Sequence, residues 1–161
     1  MILCACDPDT RTPAFALFDG TKLIEWQILK GQIDRLLPEV KYLIDTWHPE
    51  LLVIENQFLP AMDALRKFRS VSQLVSARAM IMAVFILSGI PYQVIEPFAW
   101  QRTLGGAKLG RDQLKHRSIL KASDIAREKI ENDNIADAIN MGFWFAVNNR
   151  FPAATIEERV R

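Results

Sequence analysis

Three acidic residues interrupt the apolar segments of this 161-residue sequence. Asp7 follows the apolar run at residues 2–6, Glu55 follows the run at residues 51–54, and Asp137 lies in a third apolar segment. A carboxylate at the end of a buried strand is costly unless a positive charge meets it. No basic residue is adjacent to any of the three in sequence. Because oxygen ligands suit hard divalent cations, the pattern predicts a site for Mg²⁺ or Mn²⁺.

Two such ions can hold the attacking water and the leaving oxygen of an in-line phosphoryl displacement, so the acids favour metal-assisted phosphoryl transfer. Asn134 and Asp137 are about 60° apart around a helix and share one side of it. Each acid also has a structural interpretation when taken singly. Asp7 before Pro8 is a possible turn residue, and Glu55 is a possible loop opener, but the three together favour the metal site.

The elements that must position these acids follow from hydrophobic periodicity. Asp19-Gly20 is typical of a hairpin turn. The apolar run at 51–54 predicts a strand buried on both faces, and residues 92–95 are predicted as a further buried strand. Antiparallel hairpins followed by βαβ crossovers predict an α/β fold, a mixed five-stranded sheet with helices on both faces. The predicted order is βββαβαβαα, with strands at 2–6, 13–18, 22–29, 51–54 and 92–95 and helices at 33–47, 70–87, 111–129 and 134–147. Pro38 is expected to kink the first helix or to lie near its start.

Length and composition narrow the class of protein. A mass of 18.4 kDa predicts a single domain at residues 1–161, whose segment 148–161 is a polar tail. Two cysteines give no disulfide framework and suit a reducing compartment. The longest apolar stretch, residues 79–90, is shorter than the roughly 20 residues of a membrane span. With no targeting segment visible, we expect a cytoplasmic protein without a membrane partner.

Charge is distributed unevenly along the chain, although the net formal charge is only +1. Residues 57–121 hold ten basic and three acidic residues, a net +7, so the remainder carries −6. Such asymmetry is typical of a face that binds a polyanion, although solvated helix faces are the alternative. The glycine-rich, basic segment 104–111 suits contact with phosphates, but its spacing is not that of a P-loop.

Five short segments carry a resemblance to a known family: CDPDT at 6–10, PELLVIE at 49–55, SAR at 76–78, IEPFAWQ at 95–101 and ADA at 136–138. From residue 2 to about 147 the chain resembles the RuvC family of Holliday junction resolvases, within the RNase H-like superfamily. The resemblance implies an RNase H-like fold, cleavage of four-way DNA junctions, a homodimer and two divalent metal ions per active site.

Carried over residue by residue, the resemblance places Asp7, Glu55 and Asp137 at the family's metal-binding positions. The family usually has Asp or His three residues before the last acid, where this chain has Asn134. An asparagine can bind a cation through its carbonyl but cannot act as a base. Asp133 is the alternative ligand if the helix begins irregularly. The expected cofactor is Mg²⁺, with Mn²⁺ as a substitute.

The predicted DNA contacts combine aromatic and basic side chains. Phe58 lies where the resemblance implies an aromatic that stacks on bases, an interaction worth roughly 1–3 kcal/mol per base. Phe68 is flanked by bases, although either phenylalanine could instead anchor the loop on the core, and His116 could be a surface residue without a role. The full predicted set is Phe58, Arg66, Lys67, Phe68, Arg69, Arg102, Lys108, Arg111, Lys115 and His116.

These observations predict a structure-selective endonuclease that resolves four-way DNA junctions by paired, symmetric nicks. The helix at 70–87 is apolar almost all round in its second half, so it is the expected dimer seam. One alternative is a catalytically impaired module, marked by Asn134, that binds branched DNA. Another is an RNase H-like nuclease acting on RNA–DNA hybrids. No feature of the sequence identifies a helicase partner.

Overall fold

A mixed sheet forms the centre of the computed structural model, which describes residues 1–56, 64–105 and 109–149, with the backbone alone for 64–71. Five strands occur in these ranges, in the order β3-β2-β1-β4-β5. The first three are antiparallel neighbours, and β1, β4 and β5 run parallel. The mixed sheet predicted from sequence is confirmed. The strands are β1 (Ile2–Asp7), β2 (Ala14–Asp19), β3 (Lys22–Ile28), β4 (Leu51–Glu55) and β5 (Tyr92–Ile95).

The helices follow the predicted order, with one short helix and one 3₁₀ turn in addition. A short helix and a 3₁₀ turn, Arg102–Leu104, follow β5, where no helix was predicted. The second helix begins at Ala64 rather than near residue 70, and Pro38 lies inside the first helix. None of the described helices combines the length and hydropathy that a membrane span requires. The helices are α1 (Ile33–Trp47), α2 (Ala64–Leu87), α3 (Pro97–Gln101), α4 (Arg111–Ala126) and α5 (Asp133–Asn148).

Helices cover both faces of the sheet, as predicted. Successive strand residues point to opposite sides, so each strand supplies side chains to both layers of helices. One face packs under α3, α4 and α5, and the other packs under α1 and α2. In β1, Leu3 and Ala5 face the α5 side, whereas Cys4 and Cys6 face the α1 side. Both cysteines are free and fully buried, so they behave as small apolar core residues.

The same alternation decides where the strand-end acids point. Asp7 continues the row of Ala5 on the α5 side, and Glu55 continues the row of Val53 on that side. The parallel register of β1 and β4 keeps these two strand ends level with each other. The two carboxylates therefore share one face and one edge of the sheet.

The prediction that residues 92–95 form a buried strand is correct for the strand but wrong for its burial. In β5, Tyr92, Gln93 and Val94 are exposed and only Ile95 is buried. Because β5 is the last strand of the sheet, it has one strand neighbour within the described residues. The sequence of a short strand does not reveal whether other elements pack against both of its sides. In β5, packing leaves most of the strand exposed.

α5 crosses the sheet at Gly142, where no side chain fits. A Cβ at this position would lie 2.5 Å from Phe18 Cε2 and 2.8 Å from Ala5 Cβ. We expect Gly142→Ala to lower the free energy of unfolding by about 2 kcal/mol in urea titrations, because overpacking outweighs the gain in helix propensity. Gly110→Ala is the control, since its Cβ would meet no atom within 4 Å. An equal effect of the two substitutions would contradict the close approach.

Candidate active site

Asp7, Glu55 and Asp137 come together electrostatically at the edge of the sheet where β1 and β4 end. Burial, followed by the charges of Glu55 and Asp137, raises the pKa of Asp7 well above its ordinary value. Burial also raises the pKa of Glu55, to about 7, and the charge of Asp137 adds to this rise. The three predicted acids are therefore poorly solvated, and their negative charges repel one another. Such an arrangement is expected of carboxylates that bind a divalent cation.

Glu55 is held by an indole. Trp100, in α3, is fully buried and donates its Nε1–H to Glu55 Oε1 at 2.9 Å. This hydrogen bond lowers the pKa of Glu55 and so opposes part of the rise that burial causes. α3 thus supplies a fixed donor to an acid that lies 45 residues away in sequence.

Asp137 is held by a chain of hydrogen bonds between α4 and α5. Asn140 Nδ2 donates to Ser118 Oγ at 2.9 Å and to the Ser118 carbonyl at 2.8 Å. Ser118 Oγ–H in turn donates to Asp137 Oδ1. Burial raises the pKa of Asp137 to about 6, and the Ser118 hydrogen bond opposes that rise. The orientation of Asp137 is therefore set from the core, where Ser118 and Asn140 are both buried.

Asn134 is fixed by the loop between β1 and β2. Its Nδ2 donates to the Thr12 carbonyl at 2.9 Å and to Thr12 Oγ1 at 3.1 Å. The loop is itself held by Asp9 Oδ1, which accepts from the backbone N–H groups of Arg11 and Thr12 at 2.8 Å. Because only the amide nitrogen can donate to a carbonyl, Oδ1 is the Asn134 atom left for a ligand.

α5 begins regularly at Asp133, so an irregular start does not bring this residue into the place of Asn134. Asn132 caps the helix and accepts the Ile135 N–H at 3.0 Å. Asp133 forms an ion pair with Lys115 Nζ, and this hydrogen bond lowers the pKa of Asp133. The negative charge of Asp133 is thus already balanced by the positive charge of Lys115 on α4.

A cleft of about 230 Å³ is lined by Asp137 and Asn134 together with basic residues, whereas Asp7 and Glu55 are not among its lining residues. Arg111 and Lys115, from the first two turns of α4, enter it beside Asp137. A cleft lined by both carboxylates and basic side chains suits a phosphate bridged to a cation. Its lining is Trp100, Gln101, Leu104, Arg111, Leu114, Lys115, Asp133, Asn134 and Asp137.

The other predicted DNA contacts are more scattered. Arg102 is exposed and stacks over the ring of Phe98 at 5.3 Å. His116 is exposed and lines a separate shallow pocket with Arg117 and Leu109. Phe58 and Lys108 lie outside the described residues, as do the side chains of Arg66, Lys67, Phe68 and Arg69.

The donor set fits a hard divalent cation in its chemistry. Asp7, Glu55 and Asp137 offer carboxylate oxygens and Asn134 offers a carbonyl, which are ligand types of Mg²⁺ and Mn²⁺. Burial is the largest cause of their raised pKa values, and neighbouring carboxylates add to the rise in each case. Within residues 1–56, 64–105 and 109–149, however, no group of three or more His, Cys, Asp or Glu is arranged so that it could hold a metal ion.

Comparison with solved structures identifies the fold. The structure of Thermus thermophilus RuvC in complex with a Holliday junction substrate matches with a TM-score of 0.74 at 16% identity, over 93% of this chain and 96% of that one. The chain has the RuvC-type resolvase fold. The Fowlpox virus resolvase, solved with Holliday junction DNA, matches at TM-score 0.60 and 20% identity over 92% of this chain and 99% of that one.

A third structure with the RuvC-type fold is the yeast mitochondrial Holliday junction resolvase. It matches with a TM-score of 0.55 at 14% identity, over 89% of this chain and 78% of that one. No family model and no curated protein sequence matches this chain. The RNase H-like fold predicted from the sequence motifs is therefore confirmed by the likeness to solved structures and not by any match in sequence.

Sequence inspection missed the residues that hold the acids within this RuvC-type fold. Trp100 donates a hydrogen bond to Glu55, and Ser118 donates one to Asp137. Asn140 acts on Asp137 through Ser118. The neutral Asn134 is held in turn by Thr12. One signal was present: Trp100 and Asn140 are bulky residues with polar groups in apolar segments, and such groups need a partner when buried. Nothing in the pattern indicated which partner each would find.

Proposed function

We propose that this chain is a divalent-metal-dependent endonuclease that resolves four-way DNA junctions by paired, symmetric nicks. The observation that carries the proposal is that Asp7 and Glu55 end neighbouring strands on one face of a RuvC-type sheet, where the charge of Asp137 acts on both. The two resolvases of the same fold that were solved with Holliday junction DNA support the junction as substrate.

Asp7, Glu55 and Asp137 would hold Mg²⁺ or Mn²⁺, with Asn134 Oδ1 as a neutral fourth ligand. When bound, the ions supply a water nucleophile at neutral pH and stabilise the leaving oxygen. Trp100 and Ser118 keep the carboxylates of Glu55 and Asp137 oriented. Cleavage would leave 5′-phosphate and 3′-hydroxyl ends.

Basic residues beside the acids would hold the DNA backbone. Arg111 and Lys115 line the cleft, and the exposed Arg102 follows α3 on the same side of the sheet. The net +7 of residues 57–121 in the sequence supports a polyanion as the partner. Each phosphate contact releases counterions, so junction binding should weaken steeply with salt. Phe58, which would open the junction by stacking on its bases, remains a prediction from sequence.

A homodimer would supply the second active site that symmetric nicking needs. The support is an apolar surface on β5 and on α2, the helix that the sequence predicts as the dimer seam. Leu87 is 88% exposed and Ile86 is 51% exposed, and Tyr92 and Val94 on β5 are exposed beside them in the chain. Sedimentation should give twice the 18.4 kDa chain mass.

The decisive experiment uses an end-labelled four-way junction, the matching linear duplex and an RNA–DNA hybrid. With Mg²⁺ we expect symmetric nicks in the junction that DNA ligase can reseal, and little cutting of the duplex. Faster cutting of the hybrid would select the RNase H-like alternative. Junction binding without nicks in Mg²⁺ or Mn²⁺ would select the impaired binding module that Asn134 suggests.

A further inference from the structure

Trp100 makes a contact that packing alone does not explain. Its side chain is wholly buried, and its one polar group, Nε1–H, points at Glu55 Oε1 at 2.9 Å. An indole nitrogen can only donate, and a carboxylate oxygen can only accept, so the pair suits the ionised acid. A hydrogen bond to a charged partner is about twice as strong as a neutral one.

The indole is held rigidly by its surroundings. Pro97 begins α3 just after β5, and the Trp100 carbonyl accepts the Thr103 hydroxyl at 2.8 Å at the other end. The ring belongs to the core cluster that also contains Val53 of β4 and Leu104. Val53 lies two residues before Glu55 on the same face of β4, so the cluster that contains the ring borders the acid.

We propose that Trp100 is a positioning residue for metal binding. Its N–H donates to Glu55 Oε1 and fixes the carboxylate, so that Glu55 would be oriented to bind a cation together with Asp7 and Asp137. This inference rests on the proposed function, because it needs Glu55 to be a metal ligand. It assigns a task to a side chain that neither the acid motif nor the likeness in fold assigns.

The chain contains its own control for this interaction. Trp47, at the end of α1, donates its Nε1–H to Glu25 Oε2 at 3.1 Å. This second pair also joins a buried indole to a glutamate, but Glu25 lies on β3, two strands away from β1. A purely structural role predicts that the loss of either indole has the same kind of consequence.

The experiment compares Trp100→Phe with Trp47→Phe, which keep an aromatic ring and remove the donor. Mn²⁺ binding to the full chain is measured by calorimetry without DNA, and each variant's thermal midpoint is recorded. We expect Trp100→Phe to weaken Mn²⁺ binding by about tenfold, the range seen for partners of metal ligands. Trp47→Phe should leave Mn²⁺ affinity unchanged. Equal Mn²⁺ affinity in both variants and the wild type would overturn the proposal.

A second measurement avoids the variants' folding altogether. The wild-type protein has four tryptophans, so its indole N–H resonances can be followed by NMR during Mg²⁺ titration. The Trp100 resonance should shift as Glu55 binds the ion, while that of Trp47 stays in place; an unmoved Trp100 resonance contradicts the proposal. Wild-type protein that neither binds Mn²⁺ nor nicks junctions overturns the proposed function as well. Normal activity with an indifferent Trp100 overturns only this inference.

Discussion

Glu55→Gln and Asp137→Asn should each abolish the nicking of four-way junctions while leaving junction binding intact. Both substitutions keep the shape of the side chain and remove a carboxylate charge from the place where a cation would be held. The carbonyl oxygen of the introduced glutamine can still accept the Trp100 N–H, and that of the introduced asparagine can still accept the Ser118 hydroxyl, so the local packing should persist. The loss would therefore report on the charge rather than on the fold.

The expected size of this effect follows from the role of the ion. Metal ions stabilise transition-state charge by several kcal/mol, and losing about 4 kcal/mol slows a reaction about a thousandfold. Single-turnover nicking of labelled junctions in Mg²⁺ measures the rate, and gel shift in Ca²⁺ measures binding. Glu25→Gln is the matched control, because Glu25 also accepts an indole N–H but lies away from the cleft. Wild-type nicking by Glu55→Gln would sink the proposed mechanism.

Without divalent cations, the protein should lose stability as the pH rises from about 3.8 to about 7. The folded chain holds protons on Glu55 and Asp137 up to pKa values of about 7 and about 6, whereas the unfolded chain releases them near 4.5 and 3.8. Between these limits the folded state binds more protons, so raising the pH favours unfolding. Asp7, whose pKa is also raised, adds to the effect with the same sign.

Asp7→Asn tests this destabilisation directly. At about pH 8 in EDTA we expect the substitution to stabilise the protein, because the neutral amide removes the buried, repelled charge that raises the pKa of Asp7. Near pH 4.5 the gain should largely disappear, because a protonated acid is already neutral. Asp45→Asn, which removes an exposed carboxylate paired with Lys41, should change stability little at either pH.

Thermal unfolding monitored by circular dichroism gives the comparison, and Mg²⁺ provides a further check. Wild-type protein should gain stability from Mg²⁺ at about pH 8, because a ligand of the folded state stabilises it. Asp7→Asn should gain much less. A destabilised Asp7→Asn at high pH would mean that the carboxylate is needed for the fold rather than tolerated for a cation.

Much of the fold was open to prediction because its signals are local. The Asp19-Gly20 turn, the helical spacing in α1 and the apolar runs of β1 and β4 each reflect neighbours in sequence. The exposure of β5 was mispredicted and the short α3 was missed, since both depend on what packs against them. Pro38 likewise fits inside α1, where the sequence left a kink or a nearby start open.

The identity of the fourth ligand shows where sequence reasoning stopped. From spacing alone, Asn134 and Asp133 were both candidates, and the choice depended on how α5 begins. The structure gives a regular helix start, an Asp133–Lys115 ion pair and an Asn134 amide anchored on Thr12. These partners come from α4 and from the β1–β2 loop, and the loop residue is 122 positions distant in sequence.

The sequence itself determines which residues carry the acidic charge. It also determines that two of these residues end strands. The period of two along a strand also puts Asp7 and Glu55 on one face, provided that the register pairs Cys6 with Ile54 as the structure has it. Only the tertiary structure decides what holds each acid: Trp100 for Glu55, and Ser118 with Asn140 for Asp137. The reason is physical, because side-chain periodicity is a property of the local backbone, whereas a hydrogen-bond partner is chosen by the packing of distant elements.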